Sequence, residues 1–192
     1  MISNRKHLAG CAFAAALALG LAACGDDDDS TAAADPPPGA DGGDDAAGDE
    51  VVEVVAVDFA FEGVPDAIDA GTRLTLRNDA ESELHELVAF RLDDDDTRTI
   101  EEIMALPPEE MQAALGEAPS TVVLAAPGGD AIPAVGDGSL TEAGRYALIC
   151  MIPTGVDPDE YLTAAQTSDG PPDVGEGPPH IVHGMYAELE VR

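Results

Sequence analysis

A chain of 192 residues is the size of one ordinary domain with extensions; its 45% hydrophobic residues can fill one core, built mainly from Val, Leu, Ile and Ala because Trp is absent and aromatics are only 4%. The formal charge of −31 excludes direct binding of nucleic acid, since like charge repels over a Debye length of roughly 8–10 Å. Beyond Cys24 the cations are Arg73, Arg77, Arg91, Arg98, Arg145 and Arg192 against 39 acidic residues, a balance that steers the chain toward a basic partner and equally serves solubility in a salty habitat.

Asn4-Arg5-Lys6-His7 is a positive start, and residues 8–23 are apolar and small. Together they read as a secretory signal over residues 1–23. The run is short for a membrane span, which needs about 20 apolar residues. Its end, Leu21-Ala22-Ala23-Cys24, resembles the lipobox of bacterial lipoproteins. That resemblance implies export, lipidation of Cys24, and a chain anchored to the cell membrane on its extracytoplasmic face; the plainer alternative is ordinary secretion with Cys24 incidental. Residues 24–50 are Asp, Ala, Gly and Pro without apolar period, including Asp26-Asp27-Asp28-Asp29 and Pro36-Pro37-Pro38. Nothing there offsets ordering entropy, so the segment reads as a disordered acidic tether. The four aspartates lack the spaced ligands and turn glycine of a calcium loop.

Residues 51–192 form the folded domain. Val54-Val55-Ala56-Val57-Asp58-Phe59 predicts a strand, and Thr72 to Asn78 alternates polar and apolar residues after a tight turn at Gly71. Residues 84–92 predict a third strand, stopped by Asp93-Asp94-Asp95-Asp96. Ile100, Ile103 and Met104, then Met111 and Leu115, recur at helical spacing around Pro107-Pro108, which predicts two short helices. Thr121-Val122-Val123-Leu124 predicts another strand. Gly144 to Cys150 predicts a strong one, with Tyr146, Leu148 and Cys150 on one face and Ala147 and Ile149 on the other. Asp157 caps a helical turn, residues 168–179 are a Gly and Pro loop, and residues 185–191 alternate in a final strand. Short strands without a β-α-β rhythm point to a mainly β domain, an antiparallel Greek-key sandwich with short helical insertions, the helical insert lying at one edge or end.

Once a signal is removed and Cys24 lipidated, Cys150 is the remaining thiol, so the domain has no internal disulfide. Cys150 is then either a buried inert thiol or a metal ligand, and His85, His180, His183 and Met185 are available partners. The order of these residues resembles the cupredoxins, the blue copper proteins: a histidine after an Asn-containing turn (Asn78, then His85), a cysteine ending a late strand (Cys150), and His180-Ile181-Val182-His183-Gly184-Met185 before the last strand. The resemblance implies one type 1 copper ion with His85, Cys150 and His180 equatorial and Met185 axial, and a role in electron transfer or copper handling rather than catalysis. A cupredoxin-like module that binds partners without metal is the alternative.

Two features depart from the usual cupredoxin pattern. Twenty-nine residues separate Cys150 from His180, where the family uses a short loop. Closure entropy grows slowly, so the extra length costs only about 2 kcal/mol against the roughly 10–16 kcal/mol apparent for a tight metal site. His183 and Met151 also stand beside the expected ligands; spacing and the stiff approach through Pro178-Pro179 favour His180. Zinc suits one thiolate and two imidazoles but leaves the methionine unexplained. No Gly-x-Ser-x-Gly elbow, phosphate loop or paired zinc motif is present, and nothing selects Glu83 or Glu86 as catalytic over the other acids.

Overall fold

The structure is a computed structural model that describes residues 50–168 and 170–192. The expected signal (residues 1–23), the lipidation site Cys24 and the tether up to residue 49 lie outside the described residues. In chain order the strands are β1 (Val51–Val57), β2 (Ala60–Glu62), β3 (Ala67–Ile68), β4 (Arg73–Asn78) and β5 (His85–Arg91), then β6 (Thr121–Ala125), β7 (Ile132–Val135), β8 (Gly144–Ile149) and β9 (Tyr186–Val191). Helices α1 (Ile100–Met104) and α2 (Pro108–Leu115) follow β5, and α3 (Pro158–Ala165) follows β8. A 3-10 turn, His180–His183, precedes β9.

Two sheets face each other, one ordered β2-β1-β4 and the other β3-β9-β8-β5-β6-β7. Val54, Ala56, Leu74 and Leu76 from the small sheet meet Leu87, Ala89, Val123, Tyr146, Leu148 and Leu189 from the large one, all buried in one cluster. Each such aliphatic or aromatic side chain contributes about 1.5–3 kcal/mol by leaving water.

The sandwich is mixed rather than purely antiparallel, because β1 pairs parallel with β4 and β3 parallel with β9. Between β1 and β4 the chain crosses to the edge of the large sheet at β3 and crosses back, so β4 re-enters beside β1 in the same direction. Hairpin connections cannot do this. Gly71, with φ +95°, makes the turn into β4, where any other residue would be strained.

The helical insert lies over the outer face of the large sheet, not at an edge or end. Ile100, Ile103 and Leu115 cover Val88, Ala147, Ile149 and Ile181 in a second buried cluster. The cause is in β5 and β8, whose successive residues are apolar on both faces, so that one sheet face packs on the sandwich and the other requires a cover. Local signals place the helices: Thr99 caps α1 in a reciprocal box with Glu102, Pro108 opens α2, and Asp157 accepts from the Glu160 amide at the start of α3.

Candidate metal centre

Three elements converge at one end of the sandwich. Asn78 closes β4, and its side-chain amide donates to the Glu83 and Ala125 carbonyls, each at 2.8 Å, while its oxygen accepts from the Ala80 amide at 2.9 Å. This holds residues 79–84 as a tight loop that delivers His85 to the first position of β5. Cys150 follows β8; its amide donates to the Met185 carbonyl at 3.2 Å and its carbonyl accepts from Ile181 at 2.9 Å. His180 opens the 3-10 turn after Pro179, donates to the Ile152 carbonyl at 3.0 Å and accepts from the Met185 amide at 3.3 Å. Cys150, His180 and Met185 are therefore fixed to one another through the backbone.

The long excursion between Cys150 and His180 is closed at its base. Thr154 donates from both its amide (3.0 Å) and its hydroxyl (2.8 Å) to the Pro178 carbonyl, and Pro153 bridges Pro179. Gly177 lies so close to Thr154 that a Cβ would come within 2.1 Å of its carbonyl oxygen, so only glycine lets the stems meet. Ile152, Val156 and Tyr161 of the excursion are buried in the main core. Length in this loop adds no distance between the side chains it connects.

At the centre, the His85 and His180 Nδ1 atoms lie 3.1 Å apart, and Cys150 Sγ lies 3.3 Å from His180 Nδ1 and 4.0 Å from His85 Nδ1. All three residues are fully buried. Met185 is also fully buried, in the cluster that contains Cys150. His183 is exposed and packs its ring on Phe59 at 4.6 Å, while the same Phe59 meets the His180 ring edge at 4.9 Å. Met151 points outward at 40% exposure. The nitrogen in the triangle thus comes from His180, and His183 and Met151 stand outside it.

Two acidic residues around this triangle, Glu86 and Glu83, had no distinguishing signal in the sequence. The Glu86 amide donates to Cys150 Sγ at 3.4 Å, and the buried Glu86 carboxyl accepts from the Met151 amide at 3.0 Å. Glu83 approaches His180 Nε2 at 3.3 Å and accepts from the Gly155 amide at 3.0 Å. Only Asn78 was marked beforehand, as part of the turn before His85.

Burial sets the protonation states. It pushes the Cys150 thiol up to about 12, helped by the nearby Glu86 charge, and pulls His85 down to about 4, helped by His180. His180 is likewise held low by burial, against the opposing pull of Glu83. The network is satisfied when His180 gives its Nε2 proton toward Glu83 and accepts at Nδ1, with His85 donating from its own Nδ1. His85 Nε2 then has no partner in the described structure.

The donor set fits a soft first-row transition ion. Bonds of about 2.0–2.3 Å to nitrogen and sulfur place equatorial donors about 3.5–4 Å from one another, and the observed sides of 3.1, 3.3 and 4.0 Å need shift by only a few tenths. Two imidazoles and a thiolate with a buried thioether nearby suit both oxidation states of copper, which when bound supplies one-electron chemistry. What the chain itself supplies is a dry, rigid cradle. The backbone bonds between residues 150, 180 and 185 resist rearrangement, and the Glu86 amide directs a fixed dipole at the sulfur.

The same pKa displacements set a pH dependence for the metal-free domain. His85 titrates lower folded than unfolded, so the unfolded chain takes its proton first and stability falls as pH drops from about 6.5 toward 4. Glu86, buried and raised to about 7, has the opposite sign: stability falls as pH rises from about 4.5 to 7. Over pH 4.5–6.5 the two slopes oppose. The Glu86→Gln variant is expected to show a steeper rise of stability with pH in that window than the parent; parallel denaturation profiles of the two proteins would contradict the assignment.

No protein-family model matches the chain, and no curated protein matches it. Among solved structures it is similar to a dithionite-reduced auracyanin from Roseiflexus castenholzii, with 17% identity, TM-score 0.41, and coverage of 76% of this chain and 98% of that one. Auracyanin B is similar at 19% identity and TM-score 0.38, covering 76% and 90%. Auracyanin A, a "blue" copper protein from Chloroflexus aurantiacus, is similar at 16% and 0.34, covering 74% and 98%. The described residues form a two-sheet β sandwich that holds a buried His85, Cys150, His180 triangle.

Proposed function

We propose that the protein holds one copper ion between His85, Cys150 and His180, with Met185 as the axial donor, and works as a single-electron carrier or copper-handling protein rather than as an enzyme. The observation that carries this reading is the convergence of two buried imidazole nitrogens and a buried thiol within 4.0 Å of one another. A structural thiol needs hydrocarbon around it, not two nitrogen donors on one side. Addition of Cu(II) to the purified protein is expected to give one bound ion per chain and an intense visible absorption from the copper–thiolate bond. A colourless protein with Cys150 unprotected by copper would support the metal-free binding module instead.

The acidic surface and the lipobox-like Leu21-Ala22-Ala23-Cys24 support a carrier tethered by lipid to the extracytoplasmic face of the cell membrane, docking a basic redox partner and not nucleic acid. The acidic segment after Cys24 would let the domain reach that partner. Expression of the Cys24→Ser variant in a bacterium is expected to shift the protein from the membrane to the soluble fraction. Retention of the variant on membranes would refute lipid anchoring at that residue.

A further inference from the structure

Glu83 is the only acidic side chain whose carboxylate contacts a residue of the donor triangle among the described hydrogen bonds, and it does so from a constrained position. Its backbone carbonyl is held by Asn78 at 2.8 Å. Its Oε2 accepts from the Gly155 amide at 3.0 Å, on the excursion between Cys150 and His180, and lies 3.3 Å from His180 Nε2. The side chain is 16% exposed, against 0% for His180. One carboxylate oxygen thus joins the loop before β5, the far loop and the imidazole.

We propose that Glu83 is a positioning residue for the metal centre: by accepting a hydrogen bond from the Nε2–H of His180 it fixes the ring's tautomer and orientation and presents Nδ1 as the donor. This deepens the copper reading and rests on it for the identity of the ion. An imidazole without such an acceptor divides its proton between the two nitrogens, and in one of those forms Nδ1 cannot bind a metal. A carboxylate behind a ligating histidine also raises the basicity of the facing nitrogen. The sequence holds 39 Asp and Glu, and spacing alone could not select this one, because the contact exists only after the excursion closes over the site.

The test has a metal-free arm and a copper arm. In metal-free wild-type protein, nitrogen NMR of the His180 ring is expected to show the Nε2-protonated tautomer. Glu83→Gln, whose amide oxygen can still accept, should keep that tautomer, and Glu83→Ala should mix the two. In competition titrations the alanine variant should lose about 10–100-fold in Cu(II) affinity and the glutamine variant less. A tenfold loss confined to Cu(II) would raise the reduction potential by about 59 mV. A wild-type ring protonated at Nδ1, or a Glu83→Ala variant with lowered melting temperature but unchanged tautomer and copper affinity, overturns the proposal and leaves Glu83 a structural tie to Gly155. If wild-type protein binds no copper, the copper reading fails, while the metal-free arm still decides the tautomer.

Discussion

Replacement of Cys150 by serine is expected to remove the intense visible absorption entirely and to weaken Cu(II) binding by well over about 100-fold, beyond what loss of an outer-shell partner costs. The sulfur is the only soft, anionic donor in the triangle, and a hydroxyl in its place neither ionises near neutral pH nor gives a copper–thiolate transition. The fold should survive. Serine is close in volume to cysteine, and the polar groups facing Sγ include the Glu86 amide at 3.4 Å and the two ring nitrogens, all of which a hydroxyl can hydrogen-bond. Copper titration beside a denaturation curve separates the two effects. A serine variant that keeps the colour would place the thiolate elsewhere.

Ile149→Ala is expected to destabilise the domain by about 2–5 kcal/mol, as much as Leu148→Ala. The two residues are neighbours on β8 and point to opposite faces of the large sheet. Leu148 enters the sandwich core, and Ile149 meets Val88, Ile100 and Ile103 beneath the helices. In a sandwich whose large sheet turned its outer face to water, Ile149 would tolerate truncation within about 0.5 kcal/mol. Here it is 1% exposed, and its removal leaves a cavity under α1. Urea denaturation of the two variants measures this; a tolerant Ile149→Ala would mean that the helices do not cover that face in solution.

The features legible in the sequence were those with local causes. Period-two alternation separated Tyr146, Leu148 and Cys150 from Ala147 and Ile149, and the structure sends these sets to different clusters. Pro108 and Asp157 mark helix starts because caps and N-terminal prolines act within one turn. Features set by tertiary pairing were not legible. β3 is two residues long, and β7 contains Pro133 and is exposed throughout, so neither shows an apolar period, yet each pairs at an edge of the large sheet. The parallel pairing of β1 with β4 likewise depends on a crossing between sheets.

The same division holds at the site. The order of His85, Cys150 and His180 along the chain could be read, because each ends or begins a recognisable element. Spacing and the stiff approach through Pro178-Pro179 favoured His180 over His183, though the two lie three apart in one 3-10 turn and so on one side of it. The distinction comes from depth: His180 starts the turn against the Ile152 carbonyl, and His183 ends it in solvent over Phe59. Glu83 and Glu86 acquire their contacts only when loops distant in sequence close.

X-ray absorption at the copper edge of the loaded protein reads the donor set itself. One sulfur and two imidazole nitrogens in the first shell, with the sulfur lost in the Cys150→Ser variant, is the predicted result. A shell of oxygen and nitrogen alone, unchanged by that substitution, would place any bound copper on the acidic surface and contradict the buried centre.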